Sequence, residues 1–208
     1  MTRRFYDLAF TPAVQAEQAR HGSRASYAAL TANAGGDAAT DVLSQREIAF
    51  IEARDSFYLA SVSEIGWPYV QHRGGPAGFV RPLDKETLGW ADFAGNRQYV
   101  SVGNTATDDR AAMFFMDYPQ RQRLKVLGRM RSYDASLRPD LAQRLGVGGY
   151  RARIERFILI TVEAFDWNCP QHITPRFTLA ELEKLMAPLN ARIAELETRL
   201  ETCEPAAG

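Results

Sequence analysis

The sequence predicts a mainly β protein: an antiparallel sheet that closes or nearly closes into a barrel, with helices at both ends. Three observations carry this. Between Ser56 and Trp167, short stretches rich in β-branched and aromatic residues alternate with turn residues, giving about seven strands, mostly in adjacent pairs. Before Ser56 and after Phe177 the pattern turns helical, and each helical region carries a capping signal. The chain has 208 residues, 46% hydrophobic and 24% charged, which suits one sizeable core with extensions. The expected organisation is an N-terminal helical extension over 1–43, a barrel domain over 44–177 and a C-terminal helical segment over 178–208.

In chain order, Thr11 followed by Pro12 is an N-cap with proline at the first helical position, and Val14 to Arg20 continues with helix formers. Asn33 to Asp37, with two glycines, reads as a loop. Ser44 with Glu47 forms a capping box, and Leu43 can staple onto Ile48, so a helix is expected from about Gln45 to Arg54. SFYLASV and PYVQHR, joined by a turn at Glu64 to Gly66, predict a hairpin; FVRPL and TLGWADF, joined at Asp84 to Glu86, predict a second. AAMFFMDY, RLKVLGRMRSY and RFILITVEAFDW supply three further strands, with a short helix near Leu137 to Leu145.

At the C-terminus, Thr178 and Glu181 make another capping box. Leu182, Met186, Leu189, Ile193, Leu196 and Leu200 then recur at alternating steps of four and three, a heptad seam. Pro188 predicts a kink or two consecutive helices. The seam fits either the chain's own barrel or a partner subunit.

Charge and composition narrow the function classes. Lys+Arg and Asp+Glu each total 25, a formal net charge of +0, which argues against a general electrostatic hold on nucleic acid or an anionic membrane. The opening MTRRFYDLAFTP lacks an apolar core long enough for a signal peptide, and no apolar run approaches the roughly 20 residues of a membrane span. With only Cys169 and Cys203, a disulfide framework is not expected. A soluble cytoplasmic protein is the expectation.

Four segments hold candidate chemistry. In FDWNCPQHITPRF, Cys169 and His172 invite a nucleophile–base reading, but Pro170 keeps the chain between them extended. A zinc site lacks a second close Cys/His pair. A proline-ordered structural loop and a loop touching a ligand with Trp167, Gln171 and His172 both remain open. Gln71, His72, Arg73 and Gly74 end the second strand, where paired glycines allow a bulge or a close approach. In WADFAGNRQYV, Gly95 turns the chain and Asn96 can cap a helix to about Val102. Arg97 and Gln98 in its first turn would then add donors for a phosphate. Alternation places Arg121, Arg123 and Lys125 on one face, either a charged edge or a surface for an anion or ring.

The motifs QHRGGPAGF, ADFAGNRQY and FDWNCPQHI, in this order, resemble the pyridoxamine 5′-phosphate oxidase-like FMN-binding split barrels, and in particular their predicted flavin-nucleotide-binding branch. The resemblance covers about Phe10 to Phe177. It implies a six-stranded split barrel and a homodimer with FMN in two clefts at the subunit interface. It places the flavin-lining strand at Gln71 to Gly74, the next strand end at Ala91 and Asp92, and the phosphate-holding residues at Asn96, Arg97 and Gln98. The ring-facing position falls at Arg123. Gln98 stands where the oxidases have lysine and Arg123 where they have glutamine, and the oxidases' C-terminal Trp and Arg pair has no match. The implied function is an FMN-binding oxidoreductase of unknown substrate, with NAD(P)H as a possible donor. The alternatives are a non-catalytic flavin-binding or sensing protein, or one holding a deazaflavin or haem.

Overall fold

The computed structural model describes residues 2–32, 40–167 and 170–203. Seven strands form one sheet in the order β2-β1-β5-β6-β7-β4-β3, every neighbouring pair antiparallel. They are β1 Ser56–Val62, β2 Pro68–Gly74, β3 Val80–Pro82, β4 Thr87–Phe93, β5 Arg110–Asp117, β6 Gln122–Asp134 and β7 Ile154–Trp167. The hairpins β1–β2 and β3–β4 are those that the strand and turn pattern predicts, and β5 and β6, expected only as further strands, pair as a third. β7 then fills the gap between β6 and β4, a pairing that no local turn specifies.

The sheet curls. Phe57 on β1 and Trp90 on β4 come from strands second and sixth in the order, yet their rings lie 5.1 Å apart, edge to face. Phe115 on β5 and Phe79 before β3 complete this aromatic centre at 5.2 and 5.9 Å from Phe57. All four side chains are buried. The edge strands β2 and β3 pair with one strand each, so the barrel is split, with helices flanking it. Two irregularities help it bend, at Asp92/Phe93 in β4 and at Leu127/Gly128 in β6. At Gly128 the strands approach so closely that a Cβ would lie 2.4 Å from the Thr161 carbonyl oxygen.

Helices α1 Arg3–Ala9, α2 Pro12–Arg20 and α3 Arg24–Ala32 precede the barrel, and Thr2 and Thr11 cap the first two. α4, Gln45–Glu52, carries the expected capping box and ends two residues earlier than predicted. Leu43 and Ile51 are buried in the main core, with Ile48 packed against it. Glu47 is 4% exposed and accepts from the Ser44 N–H at 3.0 Å and the Trp167 indole N–H at 2.6 Å, joining α4 to the end of β7. α6, Pro139–Leu145, buries Leu141 and Leu145 against Ala91 and Phe157.

Three local expectations change. Asn96 does not cap a helix: α5 runs Val100–Thr107, with Tyr99 in the left-handed region at its N-cap. Asn96 Oδ1 instead accepts from the Gln98 N–H at 3.2 Å, closing a short side-chain turn. Arg121 does not continue the β6 alternation, because it sits in the preceding turn with φ 52. The C-terminal segment is one helix, α7 Leu179–Cys203, with Pro188 inside it rather than between two helices. Asn33 to Asp37, Asn168 and Cys169 lie outside the described residues.

Candidate functional site

Three pieces of chain converge at one end of the barrel. β2 runs beside β1 with Arg73 opposite Phe57 and Gln71 opposite Leu59, so both polar side chains share the inward face. β4 delivers Ala91 and Asp92 at its end, where the sequence turns to the Gly95–Tyr99 loop. β7 pairs with β4 so that Arg156 lies opposite Asp92.

The result is a groove of ≈230 Å³ lined by Gln71, Arg73, Asp92, Asn96, Arg97 and Tyr99 among others. A second hollow of ≈140 Å³ shares Arg73, Asp92 and Phe93 with it and adds His72, Gly74 and Ala91. Each alone is smaller than the roughly 300–1,000 Å³ of a typical ligand pocket; through the shared residues they form one trough.

An ionic network floors this trough. Asp92, 7% exposed, bonds Arg73 and lies 3.6 Å from Arg156. Arg156 and Arg153 reach Glu155 at 3.1 and 3.2 Å. Arg97 Nε donates to the Tyr99 hydroxyl at 3.4 Å, and that hydroxyl donates to Glu155 at 3.4 Å. The Arg156 guanidinium lies 4.5 Å over the Tyr99 ring. Burial pushes the Asp92 carboxyl above the usual range, and Arg73 and Arg156 oppose that shift. Within this network four guanidiniums face two carboxylates, so the trough is locally positive in a chain of zero net charge.

Backbone geometry adds to this. Arg97 and Tyr99 have φ of 62° and 56°, a left-handed conformation that costs non-glycine residues about 1–2 kcal/mol each. Such strained residues concentrate at functional sites. Behind the loop, Ser101 Oγ donates to Gln71 Oε1 at 3.1 Å and Asn104 donates to Ser61 Oγ at 3.0 Å, pinning α5 over β1 and β2. Among the described residues, none accepts a hydrogen bond from the buried Arg73 Nε.

The predicted site residues therefore divide. Gln71, His72, Arg73, Gly74, Ala91, Asp92, Asn96 and Arg97 line the trough. Gln98 is adjacent and takes part in the loop through its backbone N–H. Arg123, Trp167, Gln171 and His172 line neither hollow. Arg123 pairs with Met116 and stacks 5.7 Å over Phe114; through Tyr58↔Phe114 and Tyr58↔His72, register places it on the same outer sheet face as His72. Trp167 is occupied structurally, its N–H on Glu47, its ring 4.7 Å from Phe50 and under Arg46 at 4.3 Å. Gln171 and His172 are exposed in a turn, His172 with φ 62.

Sequence reasoning missed Glu155 and Arg156, whose link to Asp92 exists only through the β4–β7 register. It also passed over Tyr99, although Tyr99 stands within ADFAGNRQY.

The pyridoxamine 5′-phosphate oxidase profile matches residues 43–166, more than half of the chain. This chain belongs to the pyridoxamine 5′-phosphate oxidase family. The match begins at the α4 staple residue Leu43 and ends next to Trp167, so the whole trough falls inside the family region. No curated protein sequence matches the chain. Among solved structures, the chain is similar to HupZ of Group A Streptococcus, at 14% identity over 65% of this chain and 99% of that one, TM-score 0.46. It is similar to an FMN-binding protein of Syntrophomonas wolfei, at 8% identity over 72% and 97% of the two chains, TM-score 0.43. It is also similar to a Clostridium acetobutylicum protein related to general stress protein 26, at 13% identity over 64% and 92%, TM-score 0.43. Among the described residues no helix is long and apolar enough to cross a membrane.

Proposed function

We propose that this chain is an FMN-binding flavoprotein, an oxidoreductase of the pyridoxamine 5′-phosphate oxidase-like class that works as a homodimer with flavin at the subunit interface. The observation that carries it is the positive trough between β2, the β4 end and the strained Gly95–Tyr99 loop, inside the family-matched region. A flavin phosphate is a dianion, and the excess of guanidiniums over carboxylates in the network suits it. Arg97 extends from the loop with Asn96 and Gln98 on either side, and these three hold the phosphate. Among the described residues, the one hydrogen bond of its guanidinium is the long one to Tyr99, through Nε, which leaves its terminal nitrogens for an anion.

Gln71, His72, Arg73 and Gly74 flank the ring, with Ala91 and Asp92 as the floor. The buried Arg73 Nε and the polar ends of Gln71 and His72 supply donors near the ring edge that becomes negative on reduction. When bound, the flavin supplies the hydride or electron transfer itself, with NAD(P)H as the donor class. Asp92 holds Arg73 in place from below, and its bond to Arg156 ties that position to β7.

The trough is small and open on one side, which fits a cleft completed by a second subunit. Arg123, on the outer sheet face with His72, then reaches the ring across that interface, and Gln171 and His172 approach it from the partner.

Purification under visible light tests the reading. The expected result is a yellow protein whose released cofactor has the mass of FMN; a colourless protein with no affinity for added FMN would refute it. Arg97→Ala removes one charge-assisted contact of about 1.5–3 kcal/mol, an expected affinity loss of roughly 10- to 150-fold. An unchanged affinity overturns the phosphate assignment. Stopped-flow mixing with NAD(P)H tests the oxidoreductase half: flavin that binds but is never reduced marks a storage or sensing protein instead.

A further inference from the structure

Helix α7 has an amphipathic pattern whose apolar seam no described residue buries. Leu179, Met186, Ile193 and Leu200 fall at heptad a positions, and Leu182, Leu189 and Leu196 at d positions, an unbroken apolar seam. All seven are exposed, from 41% at Leu196 to 80% at Leu179. Between residues 179 and 200, Glu181 is the one residue that is not exposed. A helix standing free in water is marginal even without a proline, and Pro188 removes one of its internal hydrogen bonds. This helix needs a partner for its seam.

The charges beside the seam say which partner. The e positions are Glu183, Asn190 and Glu197; the g positions are Leu185, Arg192 and Arg199. Acids thus stand on one flank and bases on the other. If two copies run parallel, each g residue faces the e residue five positions on in its neighbour, which sets Arg192 against Glu197 twice across the two-fold axis. If they run antiparallel, g faces g and e faces e, arginine on arginine and glutamate on glutamate. β-branched Ile193 at one a position and leucine at the d positions 182, 189 and 196 fit two parallel strands. Pro188 falls at a c position, on the side away from the seam.

We propose that α7 is one half of a parallel two-stranded coiled coil made with the α7 of a second copy of this chain. The two-fold axis runs along the coil, so the contact is isologous and closed. Arg192, now bonded to Glu195 at 2.6 Å on an exposed face, exchanges that pair for Glu197 of the neighbour at little cost. The coiled coil stands independently of any cofactor, because none of its residues lines the trough.

The test uses the full chain with Cys169→Ser and Cys203→Ser, to which Leu196→Cys is added at a d position or Thr198→Cys at the outward f position. Under mild oxidation, Leu196→Cys is expected to give mostly disulfide-linked dimer and Thr198→Cys at least tenfold less. Equal cross-linking of the two overturns the proposal. A mixture of Met186→Cys and Leu196→Cys chains reads the orientation. Like-with-like bonds are expected, and a bond joining Met186→Cys to Leu196→Cys overturns the parallel arrangement. Visible absorbance of the same samples reports flavin separately, so loss of the coil and loss of cofactor binding are distinguishable.

Discussion

Glu47→Ala isolates the joint between α4 and the end of the last strand. The Glu47 carboxylate is buried and accepts three hydrogen bonds: from the Ser44 N–H at 3.0 Å, the Ser44 hydroxyl at 2.5 Å and the Trp167 indole N–H at 2.6 Å. Ser44 is exposed, so its groups turn to water when the carboxylate is removed, and the loss there is that of a cap, about 1 kcal/mol. The Trp167 N–H has no such recourse, because Phe50 and Arg46 cover its ring. An orphaned buried donor costs about 1–3 kcal/mol, so the whole substitution costs roughly 2–4 kcal/mol. Burial alone would raise the Glu47 pKa, but the bonds from Ser44 and Trp167 outweigh it and hold the carboxyl below its ordinary 4.5. A depressed carboxyl contributes stability above the unfolded pKa and loses it as pH falls through the folded one. Denaturant midpoints of wild type and Glu47→Gln should therefore be well separated at pH 7 and converge below about pH 4.5. A cost for Glu47→Ala under about 0.5 kcal/mol, or a Glu47→Gln gap that persists in acid, would refute the joint.

Two further outcomes test other parts of the fold. Gly128→Ala puts a methyl group 2.4 Å from the Thr161 carbonyl and 2.6 Å from Ile160 Cγ2, and should destabilise the barrel by about 1–3 kcal/mol in denaturant unfolding; an unshifted midpoint would show that the β6–β7 irregularity relaxes freely. Trp167→Phe should lower the melting temperature while leaving bound flavin per chain unchanged, because the indole N–H serves Glu47. Loss of flavin at constant melting temperature would move Trp167 from the joint to the cofactor cleft.

Much of this was legible locally, for physical reasons that particular residues show. The Ser44–Glu47 and Thr178–Glu181 boxes and the β1–β2 and β3–β4 hairpins depend on neighbours within a few residues, and each stands where the residue pattern predicts it. Asn96 shows the limit of that reasoning. Its side chain can cap a helix or close a turn, and the two differ by little locally; anchoring α5 through Ser101 and Asn104 leaves the turn as the form that fits. The same limit separates Trp167 from Arg73. Both are polar-tipped residues at strand ends, and only the packing of α4 on β7 decides that one serves the core while the other borders the trough.

What the amino-acid sequence determined by itself was the set of elements, the seam of α7 and the residues with donors to offer, since periodicity, caps and turns are short-range. Tertiary structure alone decided that β7 lies beside β4 and so brings Arg156 and Glu155 to Asp92, 64 and 63 residues away in the chain. Strand register across a curled sheet depends on how the whole core closes, and no local stretch of chain holds that information.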